Sequence, residues 1–441
     1  MTVPEGEAPP LASSGYSPEE AVRDFLRYLP RPGRVLVAFS GGGDSTGLLA
    51  VLKSLNAPGS GIDIHAATVD HGLRHGSAEE ALAASGFCAR LGVPHAILAW
   101  SGEKPVTGIQ ARAREARYRL LAAEAARIGA DLIVTGHTRD DQMETLTMRR
   151  SRDPGAEEGM DEAVLVERRI WVFRPFLPVG RDAIRDWLRA RGFGWSEDPS
   201  NDNPAFERVR VRRGATGHPG PWPPPQRDRR HADAARFIRD RVRMHPGLVA
   251  SVDLSDFEPM DAASRHALLA LAAVLGGRRH PAGRPVEWSL SEVLEQGADF
   301  RLTASRVVFD RRKATLFLCR EARSLPDMTL DPGGSAPWDG RFELVNRGDR
   351  PARIAAGRAF ETAPPLLPPP WSGGLPGGVF RRGIATMPRV VSGQAAALDI
   401  RPLLAPFEHF LPARKLELAQ SLADLLGLEH FRASPIDRGT F

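Results

Sequence analysis

The chain has 441 residues, 42% of them hydrophobic, which is too long for one compact core and apolar enough to bury two or three. It contains no apolar run of the roughly 18 residues a membrane span needs, and its first residues, MTVPEGEAPPLASSGYS, carry neither a basic nor an apolar leader region, so membrane insertion and export are not expected. Its two cysteines, Cys88 and Cys319, exclude a disulfide framework and fit a reducing cytoplasm, while the formal net charge of +5, carried by arginine far more than by lysine, suits a polyanionic partner.

In chain order, Ser17-Pro18-Glu19-Glu20 is a capping box with proline at the first helical position and predicts a helix to about Leu29. Strand-like runs follow at VLVAF (35–39), IDIHAATV (62–69), HAILAW (95–100) and DLIVTG (131–136). Helices are expected between them over 45–55, 77–91 and 110–128, the last with an apolar stripe of Ala113, Ala116, Leu120 and Leu121. This alternation predicts an α/β fold, a doubly wound parallel sheet of Rossmann-like type. Residues 148–162 read as a long loop, and 172–192 as a strand, a Pro-marked turn and a helix. The stretch RGATGHPGPWPPPQRDRR (213–230) has the composition of a linker. A helical segment from about 232 to 273 is expected next, then a mixed region around LTASRVVF and ATLFLC, a second Pro/Gly-rich stretch at 363–388, and a last helix at 416–427.

In open α/β sheets ligands bind beyond the carboxyl ends of the strands. The segments leaving those ends here are SGGGDS (40–45), DHGLRHG (70–76) and GHTRDDQMET (136–145), which are polar and marked by glycine. In the first, glycines let amide N–H groups converge on an anion, and the helix that follows points its positive end there. It is not the common phosphate loop, because no lysine occurs between Ser40 and Leu49. Nor is it the dinucleotide fingerprint, whose last glycine is replaced by Thr46. Taken alone, the turn leaves an ordinary loop and a phosphate cradle equally open.

The three segments together resemble the PP-loop ATP pyrophosphatases, and among them the tRNA(Ile)-lysidine synthetases. AREARY (113–118), FRPFLPVGRDAIRDW (173–187) and DPSNDNPAFER (198–208) add to the likeness, which covers roughly 33–212. The resemblance implies that ATP adenylates the ring carbonyl of the wobble cytidine of a CAU anticodon, with release of pyrophosphate, and that the amine of free L-lysine then displaces AMP. It implies ATP and Mg2+ as cofactors, tRNA(Ile) with a CAU anticodon and lysine as partners, a cytoplasmic location, and no membrane or protein partner. The organisation it implies is a catalytic domain over 1–213, a linker over 214–230, a mainly helical tRNA-recognition domain over 231–325 and a small α+β tRNA-binding region over 326–441, the last two assigned by position.

On this resemblance Ser40, Gly41, Gly42, Gly43 and Ser45 hold the leaving pyrophosphate, and Asp70, His71, Arg74 and Gly136 also contact the nucleotide. Asp44 can be read as a helix cap or as a magnesium ligand, since a carboxylate beside a triphosphate needs a cation between them. Asp141 and Glu144 share one helix face and can hold magnesium, through Asp141, or the substrate ammonium. Asp140 is equally well a first-turn acid serving the helix dipole. His137 reaches phosphate or nucleobase, and Arg114 the active site or tRNA. Arg117 shares the face of Arg114, Tyr118 is assigned to the core, and His71 with His75 lacks a third zinc ligand nearby.

The sequence departs from the family where Thr138 and Arg139 replace a histidine-alanine pair, where Arg208-Val209 replaces an arginine-asparagine pair, and in the loop RRSRDPGAEEGM (149–160). PP-loop tRNA thiolases and other adenylating synthetases are the alternative within the fold, and a non-catalytic RNA-binding module is the alternative outside it. Thiolases commonly need paired cysteines, and Cys88 and Cys319 lie far apart in the chain.

Overall fold

The computed structural model describes residues 16–73, 76–102, 104, 107–152, 159–197, 211, 229–255, 261–357, 374–393 and 395–436. Residues 214–228 of the linker expected over 214–230, the DPSNDNPAFER motif, Arg74, His75, Arg208, Val209 and most of the second Pro/Gly-rich stretch lie outside the described residues. The chain divides into two compact units, Met1–Gln226 with Ser434–Phe441, and Arg227–Ala433.

In the first unit α1 (Pro18–Arg27) begins with both halves of its capping box: Glu20 N–H donates to Ser17 Oγ and Ser17 N–H to Glu20 Oε2. There follow β1 (Gly33–Ala38), α2 (Gly43–Leu55), β2 (Ile62–Asp70), α3 (Ser77–Arg90), β3 (His95–Ala99), α4 (Ile109–Ile128), β4 (Leu132–Thr135), α5 (Arg139–Arg152), β5 (Ala163–Val166), β6 (Ile170–Phe173) and α6 (Arg181–Ala190). The strands of this unit lie in the order β5-β6-β4-β1-β2-β3. All neighbours are parallel except β5, which runs antiparallel to β6. β1 and β4 are apolar and almost wholly buried, as strands covered on both faces must be.

The chain steps from β1 through β2 to β3, then returns to place β4 on the other side of β1, with Val37 level with Ala66 on one flank and Val134 on the other. The strand order therefore reverses between β1 and β4, which is where the loops diverge and leave a crevice. Packing of α2 against α1 and α6 fixes what overhangs it.

The second unit contains α7 (Arg230–Arg241), β7 (Val242–His245), β8 (Val249–Asp253), α8 (Ala262–Leu275), α9 (Arg284–Glu295), β9 (Phe300–Ala304), β10 (Val307–Arg312) and β11 (Thr315–Arg320). These strands form an antiparallel sheet, β7-β8-β11-β10-β9. Two three-stranded sheets follow. One joins β12 (Met328–Leu330), β15 (Ala352–Ala356) and β16 (Pro388–Ser392); the other joins β13 (Ser335–Trp338), β14 (Phe342–Asn346) and β17 (Leu398–Pro402). Helices α10 (Gly377–Ile384) and α11 (Leu416–Leu426) complete the unit, the latter closed by Gly427.

The helix expected from 232 to 273 is thus two helices with a hairpin between them. Pro246 and Gly247, the latter at φ +81°, stop helical propagation and turn the chain, and the flanking β-branched residues Val242, Val249 and Val252 pair as strands. For the same reason the stretch expected to be mainly helical also supplies a five-stranded sheet. The core of the unit includes an ionic chain in which Asp339 receives Arg320 at 2.9 and 3.0 Å and Arg341 at 2.6 Å, all three side chains being 1% exposed.

Candidate active site

The turn after β1 carries Gly41 at φ +80°, a conformation that side chains resist, and Gly42 caps α2. Hydroxyls brace it from within. Ser45 Oγ accepts the Ser40 N–H at 3.2 Å and donates to Gly42 O at 3.0 Å, and Thr46 Oγ1 donates to Gly41 O at 3.2 Å. Ser196 N–H donates to Gly41 O at 2.9 Å, which ties the segment after α6 to the turn. The first amides of α2, those of Gly43, Asp44 and Ser45, lie where a helix leaves its N–H groups without intrahelical acceptors. The chain leaving β4 comes so close that a Cβ on Gly136 would lie 2.8 Å from Asp44 O and 2.9 Å from Ser45 N. Turn and β4 loop therefore form one wall.

Thr138 caps α5 reciprocally: its Oγ1 accepts the Asp141 N–H at 3.4 Å, and Asp141 Oδ2 accepts the Thr138 N–H at 2.8 Å and its hydroxyl at 3.0 Å. The threonine that departs from the family pattern is thus buried and holds Asp141 in place. Asp141 and Glu144 are buried on the inner face of α5, and Asp44 stands opposite on the first turn of α2.

One side chain joins the three. Arg181, the first residue of α6, donates from Nε to Asp44 Oδ2 at 3.1 Å, from Nη2 to Asp141 Oδ1 at 3.0 Å and from Nη1 to Glu144 Oε1 at 3.5 Å. Its backbone N–H also donates to Asp140 Oδ2 at 2.8 Å. Burial raises the Asp44 carboxyl to about 6, with the Asp141 charge adding to the rise and Arg181 holding it back. Arg181 loses hydration in the same place, yet the carboxylates of Asp141, Asp44 and Glu144 outweigh that and push its pKa further up.

The remaining candidate residues are less tightly gathered. Asp70, at the end of β2, is turned into its own loop, where the Ser77 side chain and the Gly72 N–H (2.9 Å) hold its carboxyl below the usual range. His71 is half-buried and meets Trp100 edge-on at 6.1 Å, and burial together with the Arg117 charge lowers its pKa. Among the described residues its Nδ1 has no hydrogen-bond partner. His137 pairs through Nδ1 with Thr135 Oγ1 at 2.8 Å. Arg114 is exposed and lies over the Tyr118 ring at 5.0 Å, on α4.

Arg181, Trp195 and Ser196 were not singled out from the sequence. For Arg181 a signal existed: three acidic residues converging on a half-buried crevice require a counter-charge, and FRPFLPVGRDAIRDW places an arginine at a helix start. For Ser196, whose N–H meets Gly41, and for Trp195, whose ring a Cβ on Gly43 would approach to 3.4 Å, no signal was legible.

The arrangement can take a polyanion on the amides of the turn and a cation on the carboxylates beside it. Among the described residues no group of three or more His, Cys, Asp or Glu is disposed to hold a metal ion by itself. The hard oxygens of Asp44 and Asp141 fit magnesium, which commonly uses one or two carboxylates and completes its shell from phosphate and water. Among the described residues no helix is long and apolar enough to cross a membrane.

Residues 18–217 match the family model described as PP-loop domain. The chain is 44% identical over 446 aligned positions to the tRNA(Ile)-lysidine synthase of Rhizobium meliloti (strain 1021), covering 95% of this chain and 97% of that one. It is 37% identical to the protein of that name from Mesorhizobium japonicum, over 91% and 94% of the two chains, and 33% identical to that of Brucella melitensis biotype 2, over 94% and 98%. With similarity running the whole length of both partners, the chain belongs to the tRNA(Ile)-lysidine synthase family.

Proposed function

We propose that this ATP-using tRNA ligase modifies the wobble cytidine of tRNA(Ile) bearing a CAU anticodon and that free L-lysine is its amine substrate. The cytidine ring carbonyl oxygen attacks the α-phosphorus of ATP, the bond to the β-phosphate oxygen breaks, and pyrophosphate leaves. The lysine amine then attacks the activated ring carbon, gives up a proton, and AMP departs. The observation that carries this reading is the meeting, where the strand order reverses, of a lysine-free glycine turn with three carboxylates.

In this reading the amides of Gly41, Gly42, Gly43 and Ser45 and the Ser40 hydroxyl receive the departing pyrophosphate. Asp44 and Asp141 hold Mg2+, which supplies neutralisation of charge on the phosphates. Glu144, with Asp141, receives the ammonium of lysine and keeps the amine beside the activated base. His137 and His71 face the nucleotide, and Gly136 allows the two loops to close on it. Asp70 shapes the loop that carries His71, Arg74 contacts the nucleotide, and Arg114 meets tRNA.

The thiolase alternative is disfavoured by chemistry. Cys88 and Cys319 are both buried and free, one in each unit, and burial pushes the Cys88 thiol up to about 12, far from a reactive thiolate. Two unpaired thiols of this kind are compatible with the cytoplasm, where the tRNA substrate resides. The test is incubation of the protein with ATP, Mg2+, labelled lysine and tRNA(Ile) bearing CAU. Lysine incorporation with one AMP and one pyrophosphate per event supports the reading; ADP as product, or sulfur in place of lysine, rejects it.

A further inference from the structure

Arg181 uses three different nitrogens on three different carboxylates, at 3.0 to 3.5 Å, and gives none of them the close two-point pairing that guanidinium and carboxylate form when they are committed to each other. It is anchored by its backbone, through the N–H bond to Asp140, so its side chain can swing while the start of α6 stays fixed. Its charge is balanced against three acids in a crevice where its side chain keeps 13% of its exposure and that of Asp44 keeps 26%. It also stands beside the first turn of α2, where the unengaged amides gather.

We propose that Arg181 is an exchangeable counter-ion, a positioning residue whose guanidinium fills the place between Asp44 and Asp141 until a nucleotide-borne divalent cation arrives, and then turns to the phosphates. The proposal rests on the reading of this site as an ATP-dependent adenylation centre and says what the resting chain does there. The exchange keeps Asp44, Asp141 and Arg181 paired: these two carboxylates pass from a guanidinium to the divalent cation, and the guanidinium passes to phosphate oxygens, which its planar fork suits. A consequence follows for order: the cation is admitted together with the phosphates that take up the displaced arginine.

The test is Mn2+ binding to the nucleotide-free protein, followed by electron paramagnetic resonance of the unbound ion, for the wild type and for Arg181→Gln. With the guanidinium removed, Mn2+ affinity without nucleotide should rise about 10-fold or more, and KM for ATP should rise by a similar factor because the phosphates lose a partner, with a smaller change in kcat. Unchanged Mn2+ affinity in a variant with native circular dichroism would make Arg181 a fixed brace and overturn the proposal. Should Arg181→Gln fail to fold, Arg181→Lys serves: it retains the charge, so nucleotide-free Mn2+ affinity should stay near the wild-type value while KM for ATP rises, and an unaltered KM overturns the proposal. Because the Mn2+ measurement uses neither ATP nor tRNA, its outcome is separate from whether the wild type forms AMP and lysidine.

Discussion

Arg181 Nε donates to Asp44 Oδ2 at 3.1 Å across 137 positions of sequence, and through that bond the start of α6 is joined to the start of α2. The contact depends on the packing of α2 against α6, where Ile184 stands close over Gly47. It makes the candidate site a product of three helix starts, those of α2, α5 and α6, gathered at one edge of the sheet.

Asp44→Asn should leave the fold intact and cut pyrophosphate release by about 100-fold or more, since losing a cation-holding carboxylate forfeits several kcal/mol of charge stabilisation. Asparagine keeps the size of the side chain and can still accept from Arg181. Pyrophosphate release at saturating ATP, beside a thermal melt, checks this; near-normal release would remove Asp44 from the magnesium role.

Gly136→Ala tests the shared wall. A methyl group 2.8 Å from Asp44 O must drive the β4 loop away from α2, at a cost of roughly 1–3 kcal/mol in stability. The same displacement separates the turn from α5, so activity should fall further than stability alone explains. Urea unfolding and adenylation assays on one preparation compare the two.

Tyr118 offers a pH signature away from the carboxylates. Burial alone would raise its pKa, but the guanidinium groups of Arg114, Arg174 and Arg117 outweigh burial and bring it to about 8. The ordinary value is 10, so the folded state binds fewer protons between those limits. The stability that ionised Tyr118 contributes is complete above pH 10 and is lost as pH falls through 8. Relative to Tyr118→Phe, the wild type should gain up to roughly 2–3 kcal/mol across that window. Ultraviolet titration should show one tyrosine ionising early, and its persistence in Tyr118→Phe would refute the assignment.

In the second unit, Asp339→Ala leaves the buried guanidinium groups of Arg320 and Arg341 without their shared carboxylate. Burial already lowers Arg341 to about 10 with Asp339 present. Loss of one partner from such a chain should cost about 3–5 kcal/mol, far more than removing an exposed pair such as Arg353 with Asp327. Chemical denaturation of the full chain, with Asp327→Ala as the control, measures the difference.

A polyanionic substrate on an arginine-rich chain also predicts that tRNA affinity drops steeply between low and moderate salt. Fluorescence anisotropy with labelled tRNA(Ile) across a salt series reads the slope, and a flat profile would count against electrostatic docking.

Much of this is legible in the sequence, because the signals are local. The capping box at Ser17, the apolar runs of β1 and β4 and the roughly thirty-residue spacing of the strands each depend on neighbours along the chain, and they determine a wound parallel sheet by themselves. The rule that ligands gather beyond the carboxyl ends of such strands then brought the turn at 40–45 and the acids at 140–144 to one edge. What sequence periodicity could not carry was anything decided by a partner far along the chain. The hairpin at 242–253 forms because its second strand, β8, finds β11, so a segment with helical composition on either side folds as sheet in the middle. Asp70 and Asp44 are both acids beside a strand end, yet one is satisfied by its own loop and the other is raised by burial, a distinction that exists only once α6 is packed down. The residue that joins the three carboxylates was visible as a letter, and only tertiary packing gave it its role, because charge pairing depends on distance in space and not on distance in sequence.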